Sequence, residues 1–188
     1  MNIPVLTHNG HVMVRPDTTI DKFNRDFYPP EFVNTLSYTP VLFARICKAG
    51  RSVGAEFADR YYDAYNYGVL LYADDLAPRS SEGFASASCL DHTSFLPFPL
   101  YGKITLGHKE NEFKLRRGGR VIFRHSDAQA SMIEEAICEI SKYVYLRSGD
   151  LIAIELAGRK KIFRPKDKTV RISGSYCGNG TIDFEIKK

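Results

Sequence analysis

An adjacent pair of carboxylates, Asp74 and Asp75, follows an apolar run and is the first place in the chain where chemistry could occur. Two neighbouring carboxylates could supply oxygen ligands to a divalent cation. Adjacent residues of a strand point to opposite faces, however, so the pair would not readily chelate one ion. We therefore favour structural hydrogen bonding by Asp75 over a metal site at this pair.

Two stretches place an imidazole beside a carboxylate. Asp91 precedes His92, and His125 lies two residues before Asp127. A histidine in such a position can act as a general base, but a nucleophilic triad also needs a third group that the fold must bring in. The chain has 5 histidines among 188 residues, and a solvated or structural role remains the alternative for each of them.

Ser88 and Cys89 are the other candidate reactive side chains. Cys89 lies three residues before His92, whose imidazole could activate the thiol. The alternative is a buried cysteine that packs as a small apolar side chain. Ser88 could donate a hydrogen bond to a carboxylate or carbonyl of a ligand, but it carries no positive charge to stabilise an oxyanion.

Two apolar patterns predict helices that could position these groups. The first runs from Val53 to Ala64 at helical spacing, with Ser52 as its N-cap and Gly68 ending the pattern. The second starts with a Ser-x-x-Glu capping box at residues 131–134 and is followed by a stop at Gly149. Its apolar stripe consists of Ile133, Ile137, Ile140 and Val144.

Most of the remaining chain has the pattern of β-strands. The run 69–73 is almost entirely apolar, as in a strand that is buried on both faces. Gly118 and Gly119 separate two strand patterns and predict a hairpin. Residues 78–88 and 173–180 are rich in turn-forming residues and predict loops. The predicted strands are 41–47, 69–73, 113–116, 121–124, 151–156, 161–163, 169–172 and 181–186.

Length and composition predict a single globular domain over residues 1–188, with a short N-terminal arm at 1–36 and a core at 37–188. Hydrophobic residues make up 44% and charged residues 26%, and no apolar run is long enough to span a membrane. The 4 cysteines lack Cys-x-x-Cys spacing, and the N-terminus lacks a signal-peptide pattern. We expect a cytoplasmic protein with no membrane partner.

Basic residues concentrate in two segments, at 116–124 and at 159–171. One interpretation is a surface that binds a polyanion. The alternative is a set of solvated strand edges, where lysine and arginine also prevent edge-to-edge aggregation. Because the net charge is only +4 and no aromatic stacking motif interleaves the charges, we expect no nucleic-acid partner.

A collinear series of short motifs covers most of the chain and resembles the fumarylacetoacetate hydrolase family, whose enzymes bind Mg²⁺ and cleave or rearrange acylpyruvate-type acids. The resemblance implies an α+β fold, a mixed β-sheet roll or barrel with two main helices packed outside, and a homodimer. The matching residues are Arg15-Pro16-Asp17-Thr18, Phe27-Tyr28, Tyr38, Lys48-x-Gly50, Phe57-Ala58-x-Arg60-Tyr61-Tyr62-Asp63, Gly68, Ala73, Asp75-Leu76, Asp91 and Ser141-Lys142-x-Val144-x-Leu146-x-x-Gly149-Asp150-Leu151-Ile152.

The resemblance fails at the positions that carry the family's chemistry. The two metal-binding glutamates of the family fall at Thr39 and Val41. The third carboxylate falls at Leu70, or at Asp74 if the alignment contains a gap, and the active-site lysine falls at Ser88. Residues 154–157, Ile-Glu-Leu-Ala, replace a Thr-Gly-Thr-Pro loop, and the arm that supplies a lid histidine is missing or too short.

These departures predict a member that has lost the Mg²⁺ site and the lysine. We therefore expect no metal, no cofactor and no catalytic residue, and a catalytically inactive homodimeric scaffold or small-molecule-binding protein. The alternative is a hydrolase, isomerase or decarboxylase that acts on an acylpyruvate or related 2-oxo acid with an altered site. For a small carboxylic or 2-oxo acid ligand, the predicted binding residues are Arg15, Thr39, Asp74, Ser88 and Asp91.

Overall fold

The computed structural model describes residues 1–77, 80–108 and 111–188. Short 3₁₀ segments lie at Asp17–Thr19, Ala55–Arg60 and Lys103–Thr105. The helices and strands are β1 (Ile3–Leu6), β2 (Val12–Arg15), β3 (Ile20–Asp21), β4 (Leu36–Ile46), β5 (Tyr62–Ala73), α1 (Ser81–Ser88), β6 (Ser94–Phe95), β7 (Tyr101–Gly102), β8 (Phe113–Arg117), β9 (Arg120–His125), α2 (Ala130–Tyr143), β10 (Leu151–Glu155), β11 (Lys160–Phe163), β12 (Thr169–Tyr176) and β13 (Asn179–Lys187).

Two sheets form the molecule. The larger has nine strands in the order β2-β1-β10-β4-β5-β6-β3, with β11 paired to β4 and β7 paired to β5. It is a mixed sheet, because β1 is parallel to β10 and β3 is parallel to β6 while the other pairs are antiparallel. The smaller sheet has four strands in the order β13-β12-β8-β9. The predicted α+β class with a mixed β-roll is confirmed.

The long β4–β5 hairpin is the centre of the larger sheet. Its register runs from Leu36 opposite Ala73 to Ile46 opposite Tyr62. Both faces are buried, which explains its nearly continuous apolar sequence. One face packs into the main core beneath α2 and the smaller sheet. The other face packs into a separate apolar cluster, the second core, formed by Ile3, Val5, Val41, Phe43, Leu70, Tyr72, Leu96, Leu151 and Ala153.

The helix predicted from Val53 to Ala64 is wrong. Only a 3₁₀ turn forms, at Ala55–Arg60, and from Tyr62 the chain is extended as β5. Aromatic residues favour strands, and Tyr65 and Tyr67 are completely buried when β5 pairs with β4. The apparent helical spacing was therefore overridden by a strand partner distant in sequence.

The second predicted helix is confirmed as α2, with its isoleucines buried. Its predicted capping box is wrong, because the N-cap is Gln129 and no side chain caps the helix there. Part of the predicted 78–88 loop is α1, whose N-cap Ser80 accepts a hydrogen bond from the Gly83 amide. Pro78 and Arg79 lie outside the described residues.

The predicted strands all lie within or overlap observed strands, and the Gly118-Gly119 hairpin between β8 and β9 is confirmed. Both glycines have positive φ, 53° and 82°, as a type I′ turn requires. The predicted 173–180 loop is wrong in large part, because β12 and β13 continue to Tyr176 and from Asn179. Residues 1–36 contribute β1, β2 and β3 to the larger sheet. Neither α1 nor α2 has the length and apolar character of a membrane span, and no other described helix does.

Candidate functional site

The positions at which the resemblance placed the metal carboxylates lie side by side on the β4–β5 hairpin. Thr39 is opposite Leu70, and Val41 is opposite Gly68. Thr39, Val41 and Leu70 are 0% exposed. By alternation along the strands they lie on the face that packs into the second core. Apolar side chains therefore fill the space between these positions.

Gly68 shows how closely this face is packed. A Cβ atom added to Gly68 would lie 2.5 Å from the Phe95 carbonyl oxygen and 2.8 Å from Leu96 Cδ2. It would also lie 3.3 Å from Val41 Cγ2. The neighbouring chain thus approaches the Gly68 backbone directly, and no room remains for even a methyl group.

The two hydroxyl groups of the predicted site are engaged within the protein. Thr39 Oγ1 donates to the Ala157 carbonyl oxygen at 2.7 Å. Ser88, in the last turn of α1, donates to the Phe84 carbonyl oxygen at 2.7 Å. The Phe84 ring stacks with Tyr72 at 6.0 Å and packs against the second core. Helix α1 therefore covers this face, and both hydroxyl protons are already used.

Arg15 is a buried cation next to the second core. Its side chain is 0% exposed, and Nη2 donates to the Leu71 carbonyl oxygen at 2.9 Å and to Thr93 Oγ1 at 2.7 Å. Its Nε and Nη1 atoms have no hydrogen-bond partner among the described residues. Burial lowers the pKa of Arg15 from its usual value, and the nearby Tyr72 and Glu155 partly oppose this effect.

Tyr72 connects Arg15 to two other charged residues. The Tyr72 hydroxyl donates to Glu155 Oε1 at 2.6 Å, while the backbone N–H of His8 donates to Glu155 Oε2 at 2.9 Å. The guanidinium of Arg159 lies 4.4 Å from the Tyr72 ring centre, and that of Arg15 lies 4.9 Å away. Burial, more than the Glu155 charge, raises the pKa of Tyr72.

We call this arrangement the Tyr72 cluster; it consists of Arg15, Tyr72, Phe84, Glu155 and Arg159. Glu155 comes from the segment 154–157 that replaces the Thr-Gly-Thr-Pro loop. Its carboxylate is 6% exposed and accepts two hydrogen bonds. A buried carboxylate of this kind is stabilised by its donors and neighbouring cations. The Tyr72 cluster therefore borders the second core, and its charged groups interact with one another inside the protein.

Asp74 and Asp75 lie in the turn after β5. Asp75 Oδ2 accepts the backbone N–H groups of Asn34 and Thr35 at 2.9 and 2.8 Å. Asp75 thus has the structural role that we favoured. Asp74 Oδ2 accepts the Ser37 hydroxyl at 2.7 Å and borders a cleft of about 420 Å³.

Asp91 and His92 lie elsewhere, on the rim of a different cleft of about 320 Å³. Both are exposed, and His92 Nδ1 is 3.2 Å from Arg25 Nη2. Of the five predicted ligand-binding residues, Asp74 and Asp91 therefore border separate clefts, while Arg15, Thr39 and Ser88 are buried. Across residues 1–77, 80–108 and 111–188, no three His, Cys, Asp or Glu side chains come together as a metal site would require.

The remaining reactive side chains do not form a triad. His125 Nδ1 lies 3.0 Å from the Tyr67 hydroxyl, and burial lowers the pKa of His125 although Asp127 opposes the shift. Cys89 is exposed at the end of α1, so the alternative of a buried cysteine that packs as a small apolar side chain is wrong.

One motif was missed by the sequence-based hypotheses. Residues 50–54, Gly-Arg-Ser-Val-Gly, match the Gly-x-Ser-x-Gly pattern, and Ser52 has a φ of 50°. A nucleophile elbow connects a strand to an α-helix and presents its serine to a histidine. Here β4 has ended at Ile46 and a 3₁₀ turn follows. Within the described residues no histidine is hydrogen-bonded to Ser52, so the motif is a turn in this fold.

No protein-family model matches the sequence, and no curated protein matches it significantly. Solved structures do match. The fumarylpyruvate hydrolase of Pseudomonas aeruginosa, in complex with Mn²⁺ and pyruvate, has a TM-score of 0.82 at 18% identity, covering 100% of this chain and 89% of that one. A protein assigned to the fumarylacetoacetate hydrolase family, from Yersinia pestis CO92, has a TM-score of 0.80 at 14% identity. The match covers 98% of this chain and 91% of that one.

The 2-hydroxyhepta-2,4-diene-1,7-dioate isomerase of Mycobacterium marinum has a TM-score of 0.79 at 20% identity, covering 99% of this chain and 74% of that one. At such identities the comparisons establish the fold. The molecule is an α+β protein built on a mixed, curled sheet with a second sheet packed against it. Its fold is that of the fumarylacetoacetate hydrolase family, as the sequence motifs predicted.

Proposed function

We propose that this protein is a catalytically inactive, homodimeric relative of the enzymes that share its fold, and that it acts as a scaffold or small-molecule-binding protein. The observation that carries the proposal is the second core. Thr39, Val41 and Leu70 are fully buried there. Mg²⁺ binds several oxygen ligands, and these three residues offer one hydroxyl, which already donates to Ala157. The donor set does not fit the metal.

Exposed aromatic side chains support the homodimer. Phe23, Tyr28 and Phe32 lie within ten residues of each other and are 78%, 65% and 58% exposed. Exposed apolar groups of this size mark interaction surfaces, and a two-fold symmetric pair is the commonest way to cover them. Sedimentation at tens of micromolar should show a dimer, and a Phe23→Asp/Phe32→Asp variant should be monomeric. Monomer alone in the parent protein would contradict this assembly.

We also propose that the protein is located in the cytoplasm. All of the cysteines, Cys47, Cys89, Cys138 and Cys177, are free thiols. Free thiols are typical of proteins in reducing compartments.

The loss of the metal site is tested by calorimetric titration with Mg²⁺ and Mn²⁺. We expect no site with micromolar affinity, because a hard cation sheds its water only for several oxygen ligands. The alternative alignment makes Asp74 the third carboxylate, so Asp74→Ala is the matched variant. A micromolar site in the parent protein that Asp74→Ala abolishes would overturn the proposal. Assay with fumarylpyruvate should show no metal-dependent turnover.

A second candidate function is supported by Arg15. Its Nε and Nη1 atoms are buried without partners among the described residues, and either could donate a hydrogen bond to a carboxylate oxygen. A small carboxylic or 2-oxo acid fits this chemistry, and the Pseudomonas structure holds pyruvate with Mn²⁺. An active protein of this kind would be a hydrolase, isomerase or decarboxylase of such an acid. Arg15, Thr39, Asp74, Ser88 and Asp91 remain the proposed ligand-binding residues.

Titration with oxalate, with and without Mg²⁺, tests this candidate. Binding that Arg15→Gln removes and that Arg51→Gln preserves would support it, because Arg51 is exposed and lies at the other end of β4. Oxalate binding that survives Arg15→Gln would exclude Arg15 as the binding residue.

A further inference from the structure

A cleft of about 390 Å³ opens between the two sheets, away from the second core. One side is formed by β11 of the larger sheet, with Lys160 and Lys161. The other side is formed by the β8–β9 hairpin of the smaller sheet, with Arg117 and Arg120. We call this space the cationic cleft. Cations from two separate sheets thus converge on one cavity.

The floor of the cationic cleft is apolar and aromatic. Tyr38 lies there, next to Lys160 in the register of β4 and β11, and Val121 and Ile122 complete the lining. The Tyr38 hydroxyl makes no hydrogen bond to any described residue. Burial raises the pKa of Tyr38, so the hydroxyl keeps its proton and can donate it to a ligand. A ligand in the cleft would therefore meet two aliphatic side chains and, from the largely buried Tyr38, a free donor.

One arginine of the cleft is held in place. Arg117 Nε donates to the Ile162 carbonyl oxygen at 2.9 Å, and Nη2 donates to Asp167 Oδ2 at 2.8 Å. Arg120, Lys160 and Lys161 make no side-chain hydrogen bond or ion pair with any described residue. The anchored guanidinium is a fixed positive group, while the other three cations are available to a ligand.

Positive charge continues into an adjoining cleft of about 300 Å³, which shares Arg117 and Lys161. This adjoining cleft is also lined by Arg164, Lys166 and Asp167. The two clefts together are lined by six cations and one carboxylate, a local charge of +5. The whole chain carries only +4. The positive charge of the protein is therefore concentrated at this place, which attracts anions.

Protection of solvated strand edges explains these residues less well. On such an edge the charged side chains point outward, away from one another. Here they line one cavity that also has apolar lining residues, so their mutual repulsion is relieved when an anion binds. A long nucleic acid would need several aromatic surfaces for its bases, whereas Tyr38 is the one aromatic residue among those lining the cleft.

We propose that the cationic cleft binds a small organic phosphate, whose phosphate group pairs with Arg120, Lys160 and Lys161 and whose flat apolar part packs on Val121 and Ile122 and accepts a hydrogen bond from Tyr38. The cavity volume lies within the ordinary range for small-molecule sites, about 300–1,000 Å³. The site is independent of the lost metal chemistry, because Tyr38 and Thr39 are adjacent in β4 and point to opposite faces.

The test is calorimetric titration at low salt with adenosine 5′-monophosphate, inorganic phosphate and adenosine. We expect the nucleotide to bind about tenfold more tightly than phosphate, and adenosine to bind weakest, because only the nucleotide uses both the cations and the floor. The Arg120→Gln/Lys160→Gln variant should weaken nucleotide binding about tenfold or more. Tyr38→Phe should weaken it about threefold, as expected for the loss of one hydrogen bond.

The matched control is Arg51→Gln/Arg147→Gln. It removes the same charge from two exposed arginines near the opposite end of β4, and neither side chain makes a hydrogen bond or ion pair with a described residue. We expect nucleotide binding to be unchanged. Equal weakening by the control would show general attraction to a positive protein and would overturn the proposal. Absence of binding of both adenosine 5′-monophosphate and inorganic phosphate at about 5 mM, roughly the weakest useful affinity, would also overturn it.

Titration with an RNA oligonucleotide distinguishes the small-ligand site from the remaining alternative, a site for polynucleotides. Binding of a ten-nucleotide strand that is more than about a hundredfold tighter than that of the mononucleotide, with a steep salt dependence, would identify a polynucleotide site and contradict the small-ligand proposal.

Discussion

The second core and the cationic cleft are built on the same strand, and they differ in whether their polar groups are free. Thr39, on one face of β4, donates its hydroxyl proton within the protein, and its neighbours are apolar. Tyr38, on the other face, has no hydrogen-bond partner for its hydroxyl among the described residues, and it lies among cations of which Arg117 is the one with a partner there. The positions to which the sequence resemblance assigned the metal carboxylates are buried among apolar side chains, whereas the ligand-binding site that we propose lies at the junction of the two sheets.

The largest effect should come from a charge placed in the second core. Leu70→Asp buries a carboxylate among apolar side chains, since Leu70 is 0% exposed. We expect a loss of about 3–5 kcal/mol in the free energy of unfolding, measured by urea denaturation. Val14→Asp is the control, because Val14 is 43% exposed, and it should change stability by less than about 0.5 kcal/mol.

Restoring the three carboxylates and the lysine of the family's site tests whether the second core occupies the place of that site. A variant with Glu at 39 and 41, Asp at 70 and Lys at 88 should be unstable without metal, because three close carboxylates repel. If the four positions converge, Mg²⁺ should raise its melting temperature before any turnover appears. An unchanged melting temperature would show that they do not converge, and the placement of the family's site on this chain would be wrong.

Gly68→Ala should have the next largest effect. The added Cβ would lie 2.5 Å from the Phe95 carbonyl oxygen, so the backbone must move. We expect a loss of about 1–3 kcal/mol, as for other overpacked cores. Gly102→Ala is the matched control, because Gly102 has an ordinary φ of −64° and no heavy atom lies within 4 Å of its added Cβ. Equal stability of the two variants would contradict the close packing described here.

Tyr72→Phe tests whether the Tyr72 cluster is held together by its hydrogen bond. The change leaves Glu155 Oε1 without the donor that now lies 2.6 Å away. The expected loss is about 1–3 kcal/mol, the cost of an unsatisfied buried acceptor. The exposed Tyr28→Phe should change nothing measurable by the same denaturation. A Tyr72→Phe variant as stable as the parent would mean that water or another donor replaces the hydroxyl.

The smallest effect is expected in the cationic cleft. The Arg120→Gln/Lys160→Gln variant should keep its free energy of unfolding within about 0.5 kcal/mol of the parent, because both side chains are exposed and unpaired among the described residues. Denaturation beside the nucleotide titration checks this. A large loss of stability would assign these cations to the fold and would remove the difference between the two regions.

Elements whose apolar residues recur at regular spacing could be predicted from the sequence. Elements whose conformation depends on pairing with residues distant in the sequence could not. Helix α2 was predictable because its buried isoleucines recur at helical spacing. The segment from Val53 to Ala64 has a similar spacing, yet it forms a 3₁₀ turn, and its last three residues pair with β4 as the start of β5. Helix α1 was missed because small polar residues dominate it, and only its Ser80 cap indicates a helix start.

The candidate site shows the same limit. The motifs placed Thr39 and Leu70 correctly as neighbours. They could not show that Tyr72 and Glu155 meet, because 83 residues separate them. The cationic cleft was divided in the sequence between two basic segments, and only the packing of one sheet against the other brings Arg120 close to Lys160.

The parallel pairing of β1 with β10 has a consequence for synthesis. Val5 lies opposite Ala153, so the first strand of the larger sheet must wait for a partner that is synthesised 148 residues later. Until then β1 and the β4 edge that β10 later covers remain exposed on the ribosome-bound chain. Contacts this distant slow folding and leave nascent chains open to aggregation. The larger sheet should therefore be completed only after β10 has emerged, and the yield of the protein should depend on chaperones that hold the earlier part of the chain.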